Sequence, residues 1–195
     1  MSTSRRRKTT YHHGDLRLAL LRAAAEVLEK QGLEAITLRD VARRAGVSHN
    51  APYRHFTDRN ALLAALAEDG FRDLGKVLEG KPGIRMGEAY VRFGLAHPAR
   101  FRLMFGGSLQ LRDHPVLRDS SDFAYRALLR AVRARQELPD PEIAAAAAWS
   151  LVHGLANLLL DGHFESATRG GAEIGRFVVR VLGSVRFAAA VQRSA

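Results

Sequence analysis

Residues 37–56 read TLRDVARRAGVSHNAPYRHF, and this stretch decides how the N-terminal part of the chain folds. Its first helix is predicted to begin after Thr37, a natural N-cap, and to end at Gly46. A second short helix is predicted over residues 48–56, with Pro52 tolerated near its start. Two short helices joined by a tight turn form a helix-turn-helix, whose second helix enters the major groove of DNA.

Apolar residues recur at three- and four-residue steps along the rest of the chain, and no strand-like alternation of useful length is found. We therefore predict an all-α protein of about nine helices, with the helix-turn-helix inside an N-terminal three-helix domain. The predicted helices cover residues 15–31, 38–45, 48–56, 58–78, 84–96, 98–106, 114–136, 140–161 and 171–190.

The composition is typical of a folded soluble protein, with 47% hydrophobic and 26% charged residues. Cysteine is absent, which excludes disulfides and thiolate metal sites and fits a cytoplasmic location. Of the formal net charge of +10, more than half lies in residues 1–60, which hold 12 Lys and Arg against 6 Asp and Glu. Such a concentrated excess favours a nucleic-acid partner; the alternative is a basic proteome background.

The N-terminal residues 1–10 are predicted to form a flexible basic arm. Its charges, Arg5, Arg6, Arg7 and Lys8, either lie in a minor groove of DNA or only keep the chain soluble. Because no apolar stretch follows them, we do not expect a signal peptide.

One segment has to be compared with a membrane span. Residues 143–160 carry no formal charge, but they include Ser150, His153 and Asn157, and their first half is mostly alanine. A span usually needs about 20 strongly apolar residues. We expect a buried helix, in the core or at a dimer interface, and no membrane partner.

The helix-turn-helix resembles the DNA-binding domain of the TetR family of regulators. The likeness covers about residues 15–65 and rests on the segments 37–48, 53–56 and 58–63. Three further segments resemble a subgroup whose C-terminal domain is named for a Trp-His-Gly (WHG) motif. They are YHHGDLR at 11–17, HPARFRLMF at 97–105 and WSLVHG at 149–154.

The resemblance and side-chain chemistry together assign the DNA contacts. Thr37, Tyr53, His55 and Arg59 are assigned to phosphate, and Ser48 either contacts phosphate or caps a helix. The base-reading candidates are His49, Asn50, Ala51 and Arg54; the alternative for His49 and Asn50 is that they only cap the short helix. Many relatives have a glycine and then a threonine after the serine, so the departure at residues 49–52 leaves the operator sequence open.

The two last long helices are predicted to form a dimer interface, because a palindromic DNA site needs two copies of the helix-turn-helix. The alternative is that both helices are purely intramolecular core. The interface candidates are Leu151, Leu155, Leu158, Leu159, Phe177, Val178, Val181 and Leu182.

The aromatic-rich region 90–160 is predicted to bind a small hydrophobic or amphipathic effector. The alternative is packed core. The resemblance implies that such a ligand changes the angle of the helix over residues 58–79 and so the spacing of the two recognition helices. The ligand-binding candidates are Phe93, Phe101, Met104, Phe105, Phe123, Trp149, His153 and Asn157.

We predict a division into a flexible basic arm (1–10), a helix-turn-helix DNA-binding domain (11–57) and a helical ligand-sensing and dimerisation domain (58–195). The predicted function is a ligand-responsive repressor that binds a palindromic operator in double-stranded DNA as a homodimer. The alternative is a ligand-independent or architectural DNA-binding protein, and an activator remains open. We expect no enzyme, cofactor or metal, because no His-x-x-x-His pair lies on one predicted helix and no phosphate-binding loop or nucleophile elbow appears.

Overall fold

The computed structural model describes residues 13–109, 114–134, 139–164 and 171–185, so the predicted basic arm lies outside the described residues. The described parts contain eight α-helices, two short 3₁₀ helices and no strand, which confirms the all-α prediction. The 3₁₀ helices are Leu33–Ala35 and Pro52–Arg54. The α-helices are α1 His13–Gln31, α2 Leu38–Arg44, α3 Arg59–Leu78, α4 Gly83–Ala96, α5 Pro98–Phe105, α6 Pro115–Arg133, α7 Pro141–Leu160 and α8 Gly171–Ser184.

The predicted second helix of the helix-turn-helix is shorter than expected. Instead of a helix over residues 48–56, the chain makes a turn, in which Ala51 N donates to Ser48 O, and then the 3₁₀ helix Pro52–Arg54. Pro52 has no N–H to bond the carbonyl four residues before it, and so short a segment does not hold an α-helix by itself. This difference accounts for eight α-helices where about nine were predicted.

The chain forms two compact units, residues 1–66 and 67–195, and the boundary between them falls within α3. In the first unit the core is the apolar stripe of α1 with the inner faces of α2 and of the start of α3. Its fully buried side chains include Leu20, Leu28, Ile36, Val41 and Leu62. These positions follow the helical period that the sequence shows.

In the second unit α4 packs against α7 and α8, and α6 packs against α7. Gly87 is buried in α4, where an added Cβ would meet the side chains of Leu182 and Val152. This glycine therefore allows α7 and α8 to approach α4 closely, and the three helices form one wall of the cavity described below.

α7 is, among the described helices, the one long and apolar enough to cross a membrane, with a mean hydropathy of 1.6. Only 17% of that stretch is buried. Its contacts with α4, α6 and α8 are those of a helix in a folded helical unit, and its outer face is left uncovered in the single chain.

Candidate functional site

Thr37 is the N-cap of α2, as its residue type predicts. Its Oγ1 accepts a hydrogen bond from Asp40 N at 3.0 Å and donates one to the Asp40 carboxylate at 2.7 Å. Arg43 adds a contact of 2.7 Å to the same carboxylate. The hydrogen bond from Thr37, followed by the charge of Arg43, lowers the pKa of Asp40 below its usual value. Because its hydroxyl is engaged in the cap, Thr37 offers an approaching phosphate chiefly the backbone at the start of α2.

Gly46 turns the chain at the end of α2. Its φ is +69°, a left-handed conformation that favours glycine. Gly46 N donates to Arg43 O and Val47 N donates to Ala42 O, which closes the helix end. The chain then leaves α2 in a new direction.

Residues 48–54, which we call the recognition segment, follow this turn and lie at the surface. The side chains of Ser48, His49, Asn50 and Arg54 are exposed, and Tyr53 is 58% exposed, whereas Ala51 is partly buried. None of the five exposed side chains hydrogen-bonds another described residue. The 3₁₀ helix also has no side-chain cap, so capping does not account for His49 or Asn50.

Two buried side chains hold the recognition segment against the first unit. Pro52 and Phe56 are both buried, and the Arg17 guanidinium lies over the Phe56 ring, 5.8 Å from its centroid. Pro52 within the segment and Phe56 just after it are thus the buried residues next to the exposed polar groups.

Arg59 and His55, two of the predicted phosphate contacts, differ from the exposed residues of the recognition segment in their surroundings. Arg59 donates from Nε to Ile36 O at 2.9 Å and from Nη2 to Leu33 O at 2.7 Å, so its guanidinium ties the start of α3 to the loop before α2. His55 is half-buried, and its Nε2 is shielded from solvent without a hydrogen-bond partner. The Arg59 guanidinium thus bonds the protein backbone and His55 Nε2 is shielded, while the phosphate contacts of both residues stay predictions.

The second unit contains a cavity of about 240 Å³, lined by residues of the helices α3 to α8. Two of the predicted ligand-binding residues, Phe105 and Trp149, lie in its wall. Sequence reasoning missed Phe71, Tyr90 and Tyr125, which also line it. Tyr90 lies on the buried stripe of α4, so the helical spacing of that segment held a signal for it.

Tyr90 connects the cavity wall to His153, a partly buried polar group. Trp149 Nε1 donates to Tyr90 Oη at 3.1 Å, and Tyr90 Oη pairs with His153 Nδ1 at 2.9 Å. Since Tyr90 accepts from the indole, its own proton is available for His153, whose Nδ1 must then be unprotonated. Burial raises the pKa of Tyr90 and lowers that of His153, so both groups stay neutral.

The other predicted ligand-binding residues lie outside the wall and belong to the packing around it. Phe101 is fully buried against Tyr90, and Met104 packs against Gly70. Asn157 donates to His153 O within its own helix. The predicted ligand-binding residues outside the wall are Phe93, Phe101, Met104, Phe123, His153 and Asn157.

The predicted dimer residues divide between the inside and the outside of the chain. Leu155, Val178 and Leu182 are buried within the single chain and so face its core. Leu158 is 42% exposed, whereas Leu151, Leu159, Phe177 and Val181 are partly buried. On α7 and α8, the exposed large apolar residues that were not among the predicted interface residues are Ile143 and Val179.

The described residues contain no group of three or more His, Asp or Glu side chains that could hold a metal ion. Three features of the described residues are candidates for a functional role: the recognition segment, the cavity and the exposed face of α7 and α8.

Each of the two units contains a region that matches a known protein family. Residues 20–66 match the model of bacterial regulatory proteins of the tetR family, and residues 84–184 match the model of the tetracyclin repressor-like C-terminal domain. The chain is 48% identical over 52 residues to tetracycline repressor protein class C of Escherichia coli. That match covers 27% of this chain and 24% of the repressor, so it spans about a quarter of the relative's length.

Two solved structures are similar over almost their whole length. A protein of unknown function from Rhodococcus sp. RHA1 is 33% identical, with a TM-score of 0.77 over 91% of this chain and 96% of that one. A tetR-family regulatory protein from Rhodococcus RHA1 shares the fold, with 19% identity and a TM-score of 0.61 over 89% of this chain and 98% of that one. The family models and the matched repressor describe regulators, in agreement with the prediction that the chain is not an enzyme.

Proposed function

The chain belongs to the TetR family of bacterial regulatory proteins, and from this premise we propose that it is a DNA-binding transcriptional repressor. It binds a palindromic operator as a homodimer in the cytoplasm and releases it when a small molecule occupies the cavity of the second unit. The observation that carries this proposal is the recognition segment, which lies within the matched N-terminal region and exposes His49, Asn50, Tyr53 and Arg54.

The exposed side chains of the recognition segment suit the two tasks of a DNA contact. Asn50 can bond adenine through two hydrogen bonds, Arg54 can bond guanine in the same way, and His49 and Ala51 complete the base-reading surface. Tyr53 and Ser48 suit phosphate oxygens. The basic arm of residues 1–10 adds charge for the DNA backbone or a minor groove.

Dimerisation is supported by the uncovered outer face of α7 and α8. This face carries Leu158 and Val179 together with the small residues Ala147 and Gly154, all of them exposed in the single chain. Apolar surface of this kind is more favourable when a second copy covers it, and small residues let two helices approach closely. The same argument explains the apolar α7 without a membrane.

Ligand response is supported by the course of α3. This helix begins at Arg59, which bonds the backbone of the first unit, and continues to Phe71 and Leu74, which line the cavity. A ligand that shifts the cavity wall therefore acts on a helix that is continuous with the DNA-binding unit.

Trp149, His153 and Gly154 also support membership of the WHG subgroup.

The test is an unbiased selection of duplex DNA by the purified full chain, followed by footprinting on the selected sequence. We expect a palindrome whose half-sites lie about one helical turn apart. Asn50→Ala should relax the preference at one position of each half-site, because it removes a base contact. Arg43→Ala, outside the recognition segment, is the matched control and should leave the preference unchanged. A chain that binds all duplexes equally at low salt would contradict the proposal.

A further inference from the structure

The cavity of the second unit has room for a small organic molecule, and its volume restricts which kind. It measures about 240 Å³, whereas a protein cavity of roughly 150 Å³ holds one benzene molecule. A compound of one or two rings therefore fits. The inference that follows rests on the proposed ligand-responsive function and specifies the chemical class of the ligand.

The described walls of the cavity carry no formal charge. None of the described lining residues is Asp, Glu, Lys, Arg or His. Among the described lining groups, the Tyr90 hydroxyl has a clearly shifted pKa. Burial raises this pKa, so the hydroxyl stays neutral. An ion without an opposite charge is costly to bury, so these walls favour an uncharged ligand.

Five of the described lining residues are aromatic. Phe105 lies edge-on to Phe71, with ring centroids 5.1 Å apart, and edge-on to Trp149 at 6.2 Å. Tyr125 lies 5.4 Å from Trp149, and Tyr90 lies 6.3 Å from Phe105. Ring faces and edges at such spacings attract another aromatic ring in stacked or edge-on geometry, so the wall favours an aromatic ligand over an aliphatic one.

Two hydroxyl groups on α6 make no hydrogen bond to another described residue. Ser121 and Tyr125 lie one helical turn apart and both line the cavity, and Ser121 is only 8% exposed. Neither side chain hydrogen-bonds a described residue, whereas the polar atoms of Trp149, Tyr90 and His153 bond one another. Each hydroxyl can donate and accept a hydrogen bond, so both can pair with a polar group on a ligand in the cavity.

We propose that the cavity binds an uncharged aromatic molecule of one or two rings with one hydrogen-bonding substituent. The rings lie against the aromatic wall formed by Phe71, Tyr90, Phe105, Tyr125 and Trp149. The substituent pairs with the hydroxyls of Ser121 and Tyr125, which determine how the ligand is oriented.

The experiment compares three probes of one ring system: 1-naphthol, naphthalene and 1-naphthoate. Binding to the full chain is measured by titration calorimetry and by the shift of the unfolding temperature at pH 7, where the naphthol is neutral and the naphthoate is charged. We expect 1-naphthol to bind at least about tenfold more tightly than 1-naphthoate, because only the latter brings an unpaired charge into the cavity. Equal or tighter binding of 1-naphthoate would overturn the proposal, as would failure of both uncharged probes to bind.

The double variant Ser121→Ala/Tyr125→Phe tests the orienting hydroxyls while keeping the Tyr125 ring against Trp149. It should weaken 1-naphthol by about fivefold to tenfold, as expected for one lost hydrogen bond, and leave naphthalene unchanged. An unchanged affinity for 1-naphthol would overturn the assignment of these hydroxyls. Ser108→Ala, at an exposed position outside the described cavity lining, is the matched control and should change neither affinity.

Operator release is measured separately, by fluorescence anisotropy of a labelled duplex from the selection. If 1-naphthoate binds and releases the duplex while 1-naphthol does not, the ligand class is wrong and the proposed function stands. If the chain prefers no duplex at all, the proposed function fails, while calorimetry still decides the ligand class.

Discussion

Tyr90 shows how one hydroxyl organises the polar part of an apolar unit. It accepts from Trp149 and donates to His153, so three polar groups on two helices are satisfied by one another. Without Tyr90, the indole N–H and the imidazole Nδ1 would remain inside the unit without their partner. The residue therefore stabilises the cavity wall through hydrogen bonds as well as through its ring.

Tyr90→Phe is expected to destabilise the chain by about 1–3 kcal/mol, because it leaves two partly buried groups unpaired while keeping the ring. The measurement is urea unfolding followed by Trp149 fluorescence, since Trp149 is the single tryptophan of the chain. Tyr53→Phe removes an exposed hydroxyl and is expected to change stability by less than about 0.5 kcal/mol. Equal effects of the two variants would contradict the network.

His153 should make stability depend on pH in one direction. Burial lowers its pKa in the folded chain, so below a pH of about 6.5 the unfolded chain takes up a proton that the folded chain excludes. The stability contributed by neutral His153 is therefore complete above about pH 6.5 and is lost as the pH falls through the lowered pKa. Unfolding curves between pH 8 and 5 should show a larger loss for the wild type than for His153→Gln. Parallel losses would mean that His153 does not titrate in this way.

At the scale of elements, α2, the turn at Gly46 and the start of α3 form one support for the recognition segment. Local interactions fix each of these three parts. Thr37 caps the start of α2, Gly46 adopts a left-handed conformation in the turn, and the Arg59 guanidinium at the start of α3 donates to two backbone carbonyls. The segment itself is a turn and a 3₁₀ helix, so its shape depends on these neighbours more than on helix propensity.

Arg59→Lys tests this support, because a lysine ammonium cannot reproduce the forked contact with the carbonyls of Leu33 and Ile36. We expect a loss of about 1–3 kcal/mol in the stability of the first unit, measured by hydrogen exchange of the amides of α2. Arg54→Lys is the matched substitution at an exposed position and should leave exchange unchanged while weakening operator binding. If Arg59→Lys weakened DNA binding with unchanged exchange, Arg59 would be a DNA contact after all.

At the scale of the whole molecule, the proposed dimer and the distribution of charge both suit DNA binding. The proposed repressor dimer contains two recognition segments and twice the basic excess of residues 1–60. The outer face of α7 and α8 carries the apolar surface that a second copy would cover.

Leu158→Glu is expected to convert dimers to monomers in light scattering coupled to gel filtration, because it places a charge in the proposed interface. Leu155→Glu is unsuitable for this test, since Leu155 is only 5% exposed and its replacement would disrupt the core. Val116→Glu, on the exposed side of α6, is the control and should remain dimeric. A dimer that survives Leu158→Glu would place the interface elsewhere.

The helices and the position of the helix-turn-helix are determined by short-range sequence features. Thr37 and Gly46 delimit α2, and α3 and α4 begin and end within a residue of their predicted limits, 58–78 and 84–96. Caps, glycines, prolines and apolar periodicity act over a few residues, so they can be recognised without knowing the fold. The recognition segment was located for the same reason, although its 3₁₀ geometry was not.

The partners of individual side chains were decided only by the tertiary structure. Leu155 and Leu158 are alike in sequence, but Leu155 lies where other helices cover α7, which packs against α4, α6 and α8, and Leu158 lies on the exposed side. Tyr90 meets His153 across 63 residues, and Arg59 reaches carbonyls more than 20 residues away. Helical spacing specifies which residues share a face, whereas the packing of distant helices specifies whether that face meets the core, a cavity or solvent.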